Sequence, residues 1–179
     1  MRCVVGIDPG LTGALVVWRD GRFHTLLATV STPIRKGRRD YLVSNMWDAL
    51  KQLPPYAEVS LEKQWAQVRR TPQGLRREGA TQSFRLGYGY GLWYALVIAA
   101  GLRLYTVAPV TWKRYFGLLT QSKSAGWLKL IERAPEAMAN WKGLTLSTGV
   151  VDAMLLALYR LEHQNDGGTS DGRTTAPAA

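Results

Sequence analysis

Short apolar runs separated by turn residues dominate the start of the chain and predict three β-strands, at positions 3–7, 14–18 and 23–30. Val- and Ile-rich runs bounded by Gly, Pro or Asp are typical of buried strands. The second connection carries the turn signal Asp20-Gly21. Because both connections are short, the three strands are expected to form an antiparallel meander.

After these strands, the apolar positions recur at helical spacing between residues 41 and 53, and a Pro-Pro pair ends that helix. Residues 64–79 show no period and are predicted to be a loop. Further helices are predicted at 80–100, 109–116, 124–134 and 149–163, and further short strands at 59–61 and 102–107. The last two strands follow helical crossovers and are therefore expected to join the sheet in parallel.

The predicted fold class is therefore α/β, with a five-stranded mixed sheet flanked by helices. Three of its strands are expected to be antiparallel and two parallel. The 179-residue length suits a single domain with a full core, which we place at residues 1–163. The segment 164–179 is rich in Gly, Thr, Asp and Ala and is expected to be a disordered tail.

The net charge of the chain indicates which class of partner it binds. Lys and Arg number 23 against 13 Asp and Glu, which gives a formal net charge of +10. This excess favours a polyanion, either nucleic acid or an anionic membrane surface, although a generally basic soluble protein has the same composition. The longest apolar stretch, residues 92–102, is too short to span a bilayer, and no membrane partner is expected. The lone Cys3 and the lack of a signal-peptide pattern favour a reducing, cytoplasmic compartment.

Three acidic residues from distant parts of the chain stand beside apolar runs. Asp8 follows the first predicted strand, Glu62 ends the fourth, and Asp152 lies in the first turn of the last predicted helix. Together they indicate a hard-cation site, because carboxylate and water ligands suit Mg²⁺ or Mn²⁺, whereas no Cys and His set suits Zn²⁺. Each acid also has a purely structural explanation: Asp8 as a turn residue, Glu62 as an ion pair with Lys63, and Asp152 as a partner of the helix dipole.

The order of these motifs along residues 2–162 resembles the RuvC-type Holliday-junction resolvases, in particular their phage and bacterial branch. The matching segments are Gly6-Ile7-Asp8-Pro9-Gly10 with Thr12-Gly13, Leu61-Glu62-Lys63-Gln64, Ser83 with Gly87 and Gly91, Val107-Ala108-Pro109, Trp112-Lys113, and Val151-Asp152-Ala153. The first motif alone is also similar to the phosphate loop of actin-like ATPases. Those proteins carry a second Asp-x-Gly loop, for which this chain has no convincing counterpart.

The resemblance implies an RNase H-like fold and a homodimer that cuts two opposed strands of a four-way DNA junction in a bacterial or phage-infected cell. It also implies Mg²⁺, with Mn²⁺ as a substitute, held by Asp8 and Glu62 and completed by Asp152. The chemistry would be the in-line attack of water on a phosphodiester, as a crossover junction endodeoxyribonuclease performs it. Lys123 matches a lysine that lies near the scissile phosphate in that family.

The chain departs from the family at a fourth acid, which usually lies three or four residues before the position of Asp152. Those positions are Gly149 and Thr148 here. Thr148 is instead expected to be the N-cap of the last helix. A neutral hydroxyl is a poor Mg²⁺ ligand, so a junction-binding protein with weak or lost cleavage is an alternative to an active nuclease.

Basic residues cluster in the sequence after Glu62 and again around Lys113. This clustering predicts contacts with the DNA backbone. The candidates are Lys63, Arg69, Arg70, Arg76, Arg77 and Lys113. A solvated basic face explains the same clustering. Trp65 lies three residues after Glu62, where its ring is placed either to stack on a base opened at the junction centre or to pack against the domain.

Overall fold

The computed structural model describes residues 2–27, 31, 40–64, 68–71, 74–77, 79–122, 124–139, 141 and 147–163, with backbone alone at 68–71 and 75–77. The strands are β1 (Cys3–Ile7), β2 (Leu15–Arg19), β3 (Arg22–Leu27), β4 (Glu58–Glu62), β5 (Val68–Thr71), β6 (Gly74–Arg77) and β7 (Arg103–Val107). The helices are α1 (Val43–Lys51), α2 (Ala80–Ala99), α3 (Pro109–Tyr115), α4 (Ala125–Arg133), α5 (Pro135–Ala139) and α6 (Thr148–Glu162).

The main sheet has five strands in the order β3-β2-β1-β4-β7. Strands β1, β2 and β3 pair antiparallel, whereas β4 pairs parallel with β1 and β7 pairs parallel with β4. The predicted mixed sheet is therefore confirmed. Asp20 and Gly21, with φ angles of 53° and 74°, form the tight turn between β2 and β3 that their sequence signals.

The sheet is covered on both faces, which explains why its central strand is an unbroken apolar run. All five residues of β1 are buried. Val4 belongs to a core cluster with residues of α6 and α4, whereas Val5 and Ile7 belong to a second cluster with residues of α1 and α2. Successive side chains of a strand point to opposite faces, so one apolar run serves two cores.

The prediction of a loop at 64–79 was wrong, because β5 and β6 form an antiparallel two-stranded sheet within it. The strands lack an alternating apolar pattern, so periodicity alone did not reveal them. The available signal was the turn composition Pro72-Gln73-Gly74, whose glycine has a φ of 115°. Short α5 was also missed. Residues 28–30, the predicted end of the third strand, lie outside the described residues.

Helix α6 begins as predicted within a residue, but its cap differs. Ser147, not Thr148, is the N-cap, and its hydroxyl accepts a hydrogen bond from the backbone N–H of Val150 at 3.3 Å. Thr148 is the first helical residue, so Asp152 lies in the second turn and not the first. The helix dipole acts mainly within the first turn, which weakens the dipole explanation for Asp152. Residues 164–179, the predicted disordered tail, lie outside the described residues.

None of the helices in the described part of the chain is long and apolar enough to cross a membrane.

Candidate metal and nucleic-acid site

The pairing register of the sheet brings Asp8 and Glu62 to the same edge. Ile7 of β1 is the parallel partner of Leu61 of β4, and each acid is the next residue along its strand. Adjacent strands lie about 4.8 Å apart, so the two carboxylates come from neighbouring strand ends. The charge of Asp8 accordingly contributes to the raised pKa of Glu62. The expected juxtaposition of these two acids is therefore present.

Glu62 is buried, with 6% of its surface exposed, and each of its carboxylate oxygens has a partner. The indole Nε1–H of Trp112 donates to Oε1 at 3.0 Å, and the amide Nε2 of Gln64 donates to Oε2 at 3.2 Å. Burial, and then the charge of Asp8, raise the pKa of Glu62 to about 7. Glu62 is therefore a buried carboxylate and not a surface one.

Asp8 is held in the connection between β1 and β2. Its Oδ1 accepts the backbone N–H of Gly10 at 3.0 Å, which is the contact of a turn-forming aspartate. Burial raises the pKa of Asp8, while the Gly10 hydrogen bond and the Lys113 ammonium lower it. Asp8 is therefore both a turn residue and a carboxylate whose charge acts on a second carboxylate, that of Glu62.

Lys113 of α3 lies beside the two carboxylates. Its Nζ is 5.0 Å from the ring centroid of Trp112, and its charge lowers the pKa of both Asp8 and Glu62. The structure thus places the Lys113 ammonium, predicted to contact the DNA backbone, where its charge acts on both carboxylates.

Helix α6 supplies the third acid. It packs on β1, β2 and β4, and the charge of Asp152 contributes to the raised pKa of Glu62. The approach is close at the start of the helix, because a Cβ on Gly149 would lie 2.2 Å from the carbonyl oxygen of Thr12. An acidic side chain at position 149 therefore has no room unless the loop beside Asp8 moves.

The donor set fits a hard divalent cation only in part. Asp8 and Glu62 offer carboxylate oxygens from adjacent strands, and Mg²⁺ is commonly bound by one or two carboxylates together with water and substrate phosphates. Across the described ranges, however, no group of three or more His, Cys, Asp or Glu side chains is placed to enclose a metal ion. Two carboxylates, with Asp152 nearby, therefore suit a cation that phosphate and water complete.

The other predicted site residues divide into three groups. Thr148 is exposed at the start of α6, and Lys63 is half-buried directly after Glu62, its backbone N–H donating to the carbonyl of Val107 at 2.8 Å. Four arginines lie on the two strands of the β5–β6 hairpin, where Arg69 and Arg76 are cross-strand partners and Arg70 and Arg77 follow them. Trp65 and Lys123 lie outside the described residues.

The partners of Glu62 were not predicted as site residues. Trp112 is fully buried and reaches Glu62 because α3 begins at Pro109, with only Ala108 between it and the carboxyl end of β7. Proline is favoured at the first position of a helix, so the sequence signals where α3 begins. A tryptophan on the first turn beyond a strand end was the available clue, but its target depends on the pairing of β4 with β7.

Two solved RuvC structures share this arrangement of strands and helices. RuvC of Thermus thermophilus in complex with a Holliday junction substrate has a TM-score of 0.56 and 16% identity, over 93% of this chain and 97% of that chain. A second Thermus thermophilus RuvC structure has a TM-score of 0.55 and 19% identity over the same shares. A yeast mitochondrial Holliday junction resolvase is more distant, with a TM-score of 0.45 and 18% identity over 91% and 81% of the two chains. No protein-family profile and no curated protein matches the chain. The five-stranded mixed sheet and its flanking helices therefore have the RuvC-type, RNase H-like fold.

Proposed function

We propose that this chain is a divalent-cation-dependent endonuclease that cuts four-way DNA junctions, of the phage and bacterial RuvC branch. The observation that carries the proposal is the side-by-side placement of Asp8 and Glu62 at adjacent parallel strand ends. On a RuvC-type sheet, with Asp152 approaching from α6, this placement favours phosphodiester hydrolysis over other reactions of the fold.

The chain's own residues prepare the site for a phosphate. Trp112 and Gln64 fix both oxygens of Glu62, so that carboxylate needs little reordering when a substrate arrives. Lys113 offsets the combined negative charge and attracts the phosphodiester. Mg²⁺ bound at Asp8 and Glu62 would supply activation of water and stabilisation of the leaving oxygen.

Paired cutting requires two such sites, which supports a homodimer. Within the described residues, each chain contributes one group of interacting carboxylates. Two opposed strands of a junction are therefore served by two copies. The net charge of +10 and the basic hairpin β5–β6 support binding of the DNA backbone by each copy.

A junction-binding protein that cleaves weakly or not at all is the second candidate. It is favoured by the neutral pair at positions 148 and 149, because Gly149 leaves no space for an acidic side chain against Thr12. Under this alternative, junction selectivity remains and cleavage in Mg²⁺ is weak or absent.

A single-turnover assay separates the two. A synthetic four-way junction and a linear duplex of the same length are incubated with the protein, with and without Mg²⁺. Junction-selective cleavage that needs Mg²⁺ and is lost in Asp8→Asn supports the nuclease. Asp48→Asn is the matched control, since Asp48 is an exposed aspartate paired with Lys51 on α1.

Retained cleavage in Asp8→Asn would place the reactive site elsewhere. Tight junction binding by the native chain without cleavage, in either Mg²⁺ or Mn²⁺, would support the second candidate. Equal affinity for the junction and the duplex would contradict both.

A further inference from the structure

Two hydroxyl groups from one segment bind the loop that carries Asp8. The phenol of Tyr41 donates to the carbonyl of Pro9 at 3.1 Å, and the hydroxyl of Ser31 donates to the carbonyl of Leu11. Ser31 and Tyr41 are themselves partners in an isolated antiparallel bridge. The loop is thus held from outside at two carbonyls two residues apart.

One of these contacts is connected to the Asp8 side chain by a single rigid unit. The carbonyl of Pro9 and the N–H of Gly10 belong to the same peptide group, which is planar. That N–H donates to Oδ1 of Asp8 at 3.0 Å. The hydroxyl of Tyr41 therefore sets the tilt of a peptide plane whose other edge holds the Asp8 carboxylate.

The surroundings of the Tyr41 side chain favour its hydrogen bond to the carbonyl of Pro9. Burial raises its pKa to about 12, so the phenol retains the proton that it donates. Its ring meets Tyr88 of α2 edge-on, with centroids 5.7 Å apart. Position 89 of the same helix is glycine, and a Cβ there would lie 2.0 Å from the Tyr41 hydroxyl oxygen and 2.8 Å from the carbonyl of Pro9.

We propose that Tyr41 is a positioning residue of the cation site: through Pro9 and Gly10 it fixes the direction in which Asp8 presents its carboxylate, with Ser31 as a second anchor at Leu11. The use of that direction for Mg²⁺ rests on the proposed nuclease function. The coupling of Tyr41 to Asp8 is a property of the folded chain and is measurable without activity.

Amide hydrogen exchange on the metal-free protein tests the coupling directly. Tyr41→Phe keeps the ring and removes the hydroxyl. We expect the Gly10 amide to exchange about tenfold faster, or more, because the peptide plane that directs this N–H at Asp8 is no longer held by the Tyr41 hydroxyl. The core amide of Leu155 in α6 should change far less. Tyr56→Phe, at a tyrosine that is 48% exposed, is the matched control and should leave both amides unchanged.

Equal acceleration at Gly10 and Leu155 would mean that Tyr41 only stabilises the domain, which would overturn the proposal. An unchanged Gly10 amide in Tyr41→Phe would overturn it as well. If Gly10 responds as expected but the native chain cuts no DNA, the proposed function fails and the positioning role stands.

Two glycines of α2 allow an independent test of the same coupling. Gly89→Ala should displace the Tyr41 hydroxyl and accelerate Gly10 exchange as Tyr41→Phe does. Gly87→Ala is the matched control, because a Cβ at position 87 meets nothing within 4 Å. With junction as substrate, Tyr41→Phe and Gly89→Ala should raise the Mg²⁺ concentration for half-maximal cleavage several-fold, while junction affinity measured without metal stays within about twofold. A fall in junction affinity with an unchanged Mg²⁺ requirement would contradict the assigned role.

Discussion

The indole N–H of Trp112 donates to Oε1 of Glu62 across 50 residues of sequence, at 3.0 Å and with no solvent access to the tryptophan. This bond lowers the pKa of Glu62, opposing the burial that raises it. A helix that begins two residues after the end of β7 thus lowers the pKa of an acid at the end of β4. The carboxylate is kept ionisable near neutral pH although it is buried.

Trp112→Phe should raise the pKa of Glu62 further, because the ring is kept while the donor to Oε1 is lost. The loss of a hydrogen bond to a charged group corresponds to about one pH unit, or about 1.4 kcal/mol. The pH at which junction cleavage reaches half its maximum should therefore move upward. Trp127→Phe, at a half-buried tryptophan of α4, is the matched control and should leave the pH profile unchanged. A profile that does not move in Trp112→Phe would show that Glu62 does not limit the rate.

The stability of the metal-free protein should fall as pH rises from about 4.5 to about 7. Glu62 has a folded-state pKa of about 7 against 4.5 for an ordinary glutamate, so the folded chain binds more protons than the unfolded chain in that window. The difference corresponds to at most about 3 kcal/mol. Glu62→Gln should reduce this slope and stabilise the protein above pH 7, and saturating Mg²⁺ should oppose the loss in the native chain.

Urea unfolding at several pH values measures this effect. Glu132→Gln changes an exposed glutamate of α4 and should keep the slope of the native chain. Asp8, whose pKa is also raised by burial, acts in the same direction, so some slope should persist in Glu62→Gln. A slope that is identical in the native chain and in Glu62→Gln would contradict the raised pKa of Glu62.

The strands of the sheet were predictable because the sequence patterns that indicate them lie within a few neighbouring residues. The five strands were predicted from apolar runs and from the Asp20-Gly21 turn. The shared edge of Asp8 and Glu62 was predicted from the position of each acid at the end of a strand. The contacts that hold those acids were not predictable. Trp112 reaches Glu62, and Tyr41 reaches the carbonyl of Pro9 beside Asp8, only through tertiary pairing. Secondary-structure periods carry no information on such contacts.

Binding to branched DNA should depend steeply on salt, because Lys and Arg release counterions from the phosphates. Lys113→Ala should weaken binding and reduce the salt slope by about one. Lys51→Ala is the control, since Lys51 is paired with Asp48 on α1. An unchanged slope in Lys113→Ala would show that Lys113 contacts no phosphate in the complex.

The predicted stacking of Trp65 on an opened base is tested separately. Trp65→Ala should reduce distortion of the junction more than it reduces affinity for a duplex, because stacking acts only where a base is unpaired. A fluorescent base analogue at the crossover reports the distortion. An unaltered signal in Trp65→Ala would assign the tryptophan to packing against the domain.

Thr148→Asp should raise junction cleavage in Mg²⁺ if the site is one carboxylate short. Thr148 is exposed at the start of α6, and residues four apart share a helix face, so the new acid would lie one turn before Asp152. An aspartate in the first turn also complements the helix dipole, and the cap at Ser147 is untouched. A carboxylate coordinates Mg²⁺ better than a neutral hydroxyl, so we expect about tenfold faster cleavage or more, about 1.4 kcal/mol in barrier.

Two variants decide whether the added charge at this position is the cause. Thr148→Asn introduces a side chain of nearly the same shape as aspartate but without its charge, so this variant should cleave at the native rate. Gly149→Asp should destabilise the protein, because its Cβ would lie 2.2 Å from the carbonyl of Thr12 in the loop that carries Asp8. Single-turnover cleavage of one junction compares all three with the native chain. If the native chain already cuts as fast as Thr148→Asp, three carboxylates suffice here. If Gly149→Asp is the faster enzyme, the loop beside Asp8 yields to an acid and the missing ligand belongs at position 149.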